Sequence, residues 1–403
     1  AAFQLAQEVL RQGEKAGDTA YPEARYDGAT AHFRMGRVLK MAGHSEQALP
    51  FLQAAERRFE VLANEGNADA ARMASVCLTE IGDCFSALGQ YNEAAKKYEA
   101  GIELADKLGD MRGIAVKKNQ LATVRMQQKN YSEALRLYGE AKTIFEEYRE
   151  PGQVAVTWHQ IGMVHQKAQN YPAAEKAYLE SLTIKIREKN KSGEASTLIQ
   201  LGNLYKLLER LEDAVRVHER ATEIYVELKD LRYEGITRSN LADTLFQLHR
   251  TAEARTQLLR AIKCKSQFGH VAEPWKTWAI LCDLETAEGN LPAAAAARQQ
   301  ALQAYAAYRL AGGESQSNQF RLIVAAAQAL QVGQQAQMVD YLQSTLEPGD
   351  PTEYVALVRR LTALLRGSRD PAVADDPELD YMNVVELRLV FFGGGGAGQT
   401  HEN

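Results

Sequence analysis

The chain has 403 residues, of which 45% are hydrophobic and 25% charged, a composition that buries a core and excludes a wholly disordered chain. Its 47 basic and 52 acidic residues leave a net charge of −5, so nothing points to nucleic acid or an anionic membrane as partner. No apolar run approaches the ~18 residues that a membrane-spanning helix needs. Four scattered cysteines, Cys77, Cys84, Cys264 and Cys282, are too few for a disulfide framework, and a reducing, cytoplasmic setting is expected.

The first residue is Ala1, with neither a Met nor a signal segment before the amphipathic stretch Phe3–Leu10, so the chain reads as a piece of a longer protein. Residues 1–28 are expected to be the end of a truncated repeat and a connector. From residue 29 a pattern repeats. The small residues Gly36, Gly82, Ala122, Gly162, Gly202, Ala242 and Cys282 are spaced by 46 once and then by 40 five times. Twelve residues after each stands an alanine, from Ala48 and Ala94 through to Ala294, and seven further on another small residue, from Ala55 and Gly101 to Ala301. Small residues in register are what two crossing helices require, because a large side chain at the crossing drives the axes apart. Each unit is therefore a pair of antiparallel helices that cannot bury its apolar stripe alone and must stack on its neighbours.

The motif Ile81-Gly82, Phe85, Ala94 and Tyr98 resembles the tetratricopeptide repeat, with a 40-residue period in place of the usual ~34. The longer form is similar to the repeats of kinesin light chain and of bacterial signalling proteins. The resemblance covers residues 29–310 as seven repeats. It implies an all-α fold, a right-handed superhelical solenoid of antiparallel helix pairs. Residues 311–367 are expected to be a degenerate repeat with C-terminal capping helices, and residues 368–380 an acidic linker.

The resemblance also implies that the first helix of each repeat lines a concave groove, and which positions face it. Two residues before the small position stand Gln120, Gln160, Gln200 and Asn240. Each amide carries donors and an acceptor and can satisfy a peptide backbone whatever its sequence. Asn119, His159, Asn203 and Arg37 occupy neighbouring inward columns, while Met126, Met163 and Phe246 are expected to offer apolar contacts. Arg34, Arg37 and Lys40 make one end of the groove basic, and Asp243, Asp283 and Glu285 the other acidic. No catalytic constellation, metal set or cofactor motif emerges from the eight histidines and four cysteines, since each has a packing role in the repeat.

At the C-terminus, residues 381–403 are expected to be a strand, Val384–Phe392, followed by the Gly-rich run Gly393–Thr400. This resembles a Walker A phosphate loop, but Gln399 stands where that motif has lysine. The expected function is a non-enzymatic scaffold that binds a peptide or protein in the groove, with no nucleic acid, membrane or cofactor. The alternative is the sensor arm of a nucleotide-switch protein whose catalytic domain begins near Val384.

Overall fold

The computed structural model describes residues 2–21 and 23–393. Among them are nineteen α-helices, two short 3₁₀ turns and no strand. No helix among these residues is long and apolar enough to cross a membrane. The chain divides into two compact units between Leu204 and Tyr205.

In the first unit, α1 (Ala2–Ala16) precedes the helix pairs α2/α3 (Ala24–Met41, Ser45–Asn64), α4/α5 (Ala68–Ala87, Tyr91–Lys107), α6/α7 (Met111–Gln127, Tyr131–Glu147) and α8/α9 (Pro151–Lys167, Tyr171–Arg187). Helix α10 (Lys191–Leu207) spans the division. The 40-residue period has a simple origin: from α5 to α10 the helices are 17 residues long and the turns between them three. The first interval is 46 because α3 and α4 each run to 20 residues.

The turns repeat one solution. The residue before the last turn position takes a left-handed conformation, as at Gly89, Gly109, Lys129 and Gln169, which lets the following amide bond back to the helix it leaves, for example Asn130 N–H to the Arg125 carbonyl at 2.8 Å. The last turn residue then caps the next helix. Asp110 accepts from Gly113 N–H at 2.8 Å and Asn67 from Ala70 N–H at 2.9 Å.

Helix crossings explain the small residues. A Cβ at Gly82 would lie 2.6 Å from the Tyr98 ring, and one at Gly162 2.6 Å from the Tyr178 ring. These tyrosines and Tyr138 are buried to within 2%, and their hydroxyls meet Asp83 (2.6 Å), Thr123 (2.7 Å) and Gln166 (2.8 Å) on the first helix of the same pair.

The second unit continues with α11 (Leu211–Glu227), the pairs α12/α13 (Leu231–Gln247, Thr251–Lys265) and α14/α15 (Pro274–Ala287, Leu291–Leu310), the short hairpin α16/α17 (Phe320–Gln331, Gln335–Ser344), then α18 (Thr352–Leu365) and α19 (Tyr381–Phe392). The last of these corrects the sequence reading: Val384–Phe392 is helix, not strand. Asp380 caps it, accepting from Met382 and Asn383 N–H at 2.6 and 3.1 Å, and Gly393 ends it at φ 68°. One side packs on Trp275 and Tyr305, the other on Ile323, Leu357 and Leu361. With both sides covered no amphipathic stripe remains, and a short apolar run of this kind is indistinguishable from a buried strand by periodicity. The Gly-rich run beyond Gly393 lies outside the described residues.

Residues 368–380 also differ from a solvated linker. Ala374, Asp376 and Leu379 are buried. Arg360 pairs with Asp376 at 2.6 Å, and Arg298 of α15 donates to the backbone carbonyls of Asp376 and Leu379 at 3.2 and 2.6 Å.

Candidate ligand-binding wall

In each unit the first helices of successive pairs touch one another directly, α2 with α4, α4 with α6, α6 with α8, and α12 with α14. No comparable contact joins consecutive second helices among the described residues. Helices that approach on one side of a stack and spread on the other place the first-helix side at the inner wall.

On that wall Gln120, Gln160 and Gln200 recur on α6, α8 and α10, all half-buried, and the equivalent residue of the second unit is Asn240 on α12, also half-buried. Among the described residues none of the four amides makes a side-chain hydrogen bond, and none is sealed from solvent. Asn203 is half-buried as well.

The neighbouring column is occupied otherwise. Asn119 Nδ2 donates to Thr157 Oγ1 at 3.0 Å, and His159 Nδ1 bonds Thr197 Oγ1 at 3.1 Å. In the second unit Ser239 Oγ meets Thr277 Oγ1 at 2.8 Å. These bonds run from one first helix to the next and tie the repeats together. Burial, with the Lys185 charge nearby, pushes the His159 imidazole down to about 4, so it is neutral at physiological pH, and its ring sits edge-on to Tyr178 at 5.6 Å. His159 and Asn119 are joints between repeats more than free groove side chains.

Three apolar expectations separate. Met126 is only 2% exposed, inside a core cluster with Tyr98 and Tyr138, and does not face a ligand. Lys40 and Lys206 at the same repeat position reach acids of the next repeat, whereas a thioether folds down onto the core. Met163 and Phe246 stay half-buried against their clusters.

The expected charge gradient is largely neutralised by pairs within each unit. Arg37 is exposed, but it lies 3.3 Å from Glu80 and over the Phe33 ring at 5.6 Å. Lys40 pairs with Glu80 and, at 2.8 Å, with Asp83. In the second unit Lys206 pairs with Asp243, and Arg255 with the buried Glu285 at 2.6 Å. Most of these charges meet their opposite at the next repeat, but Asp283 has no ion pair among the described residues, and burial raises its carboxyl.

A feature that sequence reading missed is the column five residues before the small position: Lys117, Thr157, Thr197, Thr237 and Thr277. Thr157, Thr197 and Thr277 make the inter-helix bonds just described, and two of them also receive buried lysines from the preceding second helix. Lys185 Nζ donates to Thr197 Oγ1 at 2.7 Å and Lys265 Nζ to Thr277 Oγ1 at 2.8 Å. Burial pushes both ammonium groups down to about 8. Reading this column alongside the amide column would have exposed the run of threonines.

A tetratricopeptide repeat profile matches residues 113–187, 153–227 and 193–267. Residues 113–267 are therefore tetratricopeptide repeats. Comparison with curated protein sequences gives no match. Among solved structures, the tetratricopeptide-repeat chain is similar to a signal-transduction ATPase with numerous domains and a tetratricopeptide repeat sensor from Pyrococcus horikoshii, with TM-score 0.58 and 14% identity over 74% of this chain and 46% of that one. It is also similar to aspartyl phosphate phosphatase F from Bacillus subtilis, with TM-score 0.51 and 12% identity over 75% of this chain and 80% of that one. At these identities the likeness is one of fold.

The tetratricopeptide wall of the second unit ends in a cavity of about 370 Å³ between Ala279, Asp283 and Thr286 of α14 and the chain's own segment Pro377–Tyr381. The segment pinned by Arg298 therefore occupies the inner wall at the seventh repeat.

Proposed function

We propose that the inner wall of the first unit binds an extended peptide segment of a partner protein, without catalysis, through the amides of Gln120, Gln160 and Gln200, and that Asn240 offers the equivalent amide on the wall of the second unit. The observation that carries this reading is that these four side chains are accessible and without internal partners, while the residues around them are engaged in holding the repeats together. Polar side chains free of internal bonds at successive repeats offer a backbone ladder, since each primary amide both donates and accepts. Asn203 and the half-buried Met163 flank it, and the half-buried Phe246 stands on α12 with Asn240. Arg37, already paired, contributes less than the sequence suggested.

The test is a selection of binding peptides from a displayed random library, followed by affinity measurement on wild type and on Gln160→Ala/Gln200→Ala. Each lost hydrogen bond is worth roughly 0.5–1.5 kcal/mol, so the double variant should bind about 5- to 150-fold more weakly. Equal affinity would remove the ladder from the mechanism.

The sensor-arm reading keeps only the fold likeness to the Pyrococcus horikoshii protein. The strand it needed before the Gly-rich run is the capped helix α19, and a helix there cannot feed a phosphate loop in the way that motif requires.

A further inference from the structure

Three lysine side chains are buried where one repeat meets the next: Lys117, Lys185 and Lys265 are 4%, 5% and 4% exposed. Two of them are internally satisfied. Lys185 and Lys265 come from a second helix and donate to Thr197 and Thr277 on the first helix that follows.

Lys117 reverses this arrangement. It stands on the first helix α6, at the column position that the threonines hold elsewhere, and the second-helix position facing that column is Ala105, which is fully buried and has no polar side-chain atom. Among the described residues the Lys117 ammonium has neither a hydrogen bond nor an ion pair. The packing nevertheless makes room for it. A Cβ on Gly101 would lie 2.9 Å from Cε and 3.0 Å from Cδ of Lys117, and the other six repeats carry Ala or Ser at that position.

The Lys117 side chain lines a cavity of about 370 Å³ in the first unit, between the start of α4 and the turn 108–110. Ser75 lines it too; it is 3% exposed, and its hydroxyl has no partner. A sealed hydroxyl without a partner is costly and calls for an explanation, and the Lys117 ammonium beside it meets no protein acceptor. Arg72 reaches the same cavity from its exposed edge, tied only by an exposed 3.0 Å pair to Asp69 that is weak enough to exchange. Asp110, also at the rim, caps α6 through Gly113 N–H; burial pushes the Lys117 ammonium below its ordinary value, and the Asp110 charge works against that shift. The groups turned inward are therefore donors.

We propose that this cavity is a binding site for a small oxyanion, a carboxylate or phosphate group, held by the Lys117 ammonium and the Ser75 hydroxyl with Arg72 closing from outside. Val76 and Leu108 line the remaining space and accommodate a short apolar group attached to the anion. The site is separate in its chemistry from the amide ladder and stands or falls independently of it.

The experiment is the thermal midpoint of the full chain titrated with inorganic phosphate in one arm and sodium butyrate in the other, against chloride at matched ionic strength. The midpoint should rise and saturate in at least one arm, and the arm with the lower half-saturation identifies the headgroup. Lys117→Met should abolish the response. Ser75→Ala should move half-saturation at least about threefold higher, as expected for one lost hydrogen bond. Lys185→Met, which removes a buried lysine already bonded to Thr197, should respond as wild type does. No saturable rise in either arm, or a rise that survives in Lys117→Met, would overturn the proposal. If Lys117→Met does not fold, Ser75→Ala decides: an unchanged half-saturation has the same consequence.

Discussion

The buried acid on the C-terminal helix gives the sharpest energetic prediction. Glu386 of α19 is fully buried. It accepts from Tyr305 Oη at 2.7 Å and from Arg309 Nη2 at 3.0 Å, and forms a 2.7 Å ion pair with that guanidinium. Glu386→Leu removes the carboxylate but leaves Arg309, 15% exposed at its side chain, with the Gly313 carbonyl and the Phe320 ring for company. Removing one partner of a buried pair costs roughly 3–5 kcal/mol, whereas replacing both with apolar groups is often close to neutral. The residual exposure of Arg309 favours the lower figure. Glu386→Leu should thus destabilise by about 3 kcal/mol, and Glu386→Leu/Arg309→Met should recover at least ~2 kcal/mol of it, an interaction energy within the usual range for contacting residues. Urea unfolding followed by circular dichroism and by tryptophan fluorescence measures both, with Trp275 packed 5.7 Å from the Tyr305 ring as the local reporter. A single-variant cost under ~1 kcal/mol, or a double variant as unstable as the single, would refute the view that a buried charge latch fixes α19.

Other consequences follow from the turns and the lysines. Lys129 holds φ 61° at a turn position that Gly89 and Gly109 occupy in other repeats; Lys129→Gly should stabilise by about 0.5 kcal/mol, the ~1–2 kcal/mol left-handed strain less the extra chain entropy of glycine, and a lower thermal midpoint would contradict this. Lys185 and Lys265 are charged in both states below about pH 8, where their burial penalty is complete. Between about 8 and 10.5 the folded state releases protons that the unfolded chain still binds, so stability rises with pH through this window. The stability of wild type relative to Lys185→Met/Lys265→Met should accordingly improve by roughly 1–3 kcal/mol between pH 7.5 and 10. Thiols such as Cys77 and tyrosines such as Tyr98, raised by burial, act in the opposite sense in both proteins and cancel in the difference; a flat difference would argue against buried lysines.

The repeat was legible because its constraint is steric and local. Only glycine fits beneath Tyr98 or Tyr178 as they are packed, so the crossing positions show through in one sequence without comparison. The amide positions were legible for the same reason: a fixed period places them on one helix face. What escaped depends on partners far along the chain. Arg37 and Lys40 read as a basic end until Glu80 and Asp83 of the next repeat are set against them. Met126 occupies a column whose lysines reach acids of the next repeat, yet it turns into the core. Helix α19 read as a strand because Trp275 and Tyr305 cover one side and Ile323 and Leu361 the other, which erases the polar face that marks a helix. Its start was nonetheless written at Asp380, a good capping residue placed just before the apolar run.

The central claim is that the inner wall recognises a peptide through its backbone. It is tested most directly by the affinity of one selected peptide, and of its copy methylated at alternate backbone nitrogens, for wild type and for Gln160→Ala/Gln200→Ala. Backbone recognition predicts that methylation weakens wild-type binding by about tenfold or more, one to two hydrogen bonds' worth, and the double variant's binding much less. Equal losses in both proteins would contradict it, because the amides would then be bystanders on the wall.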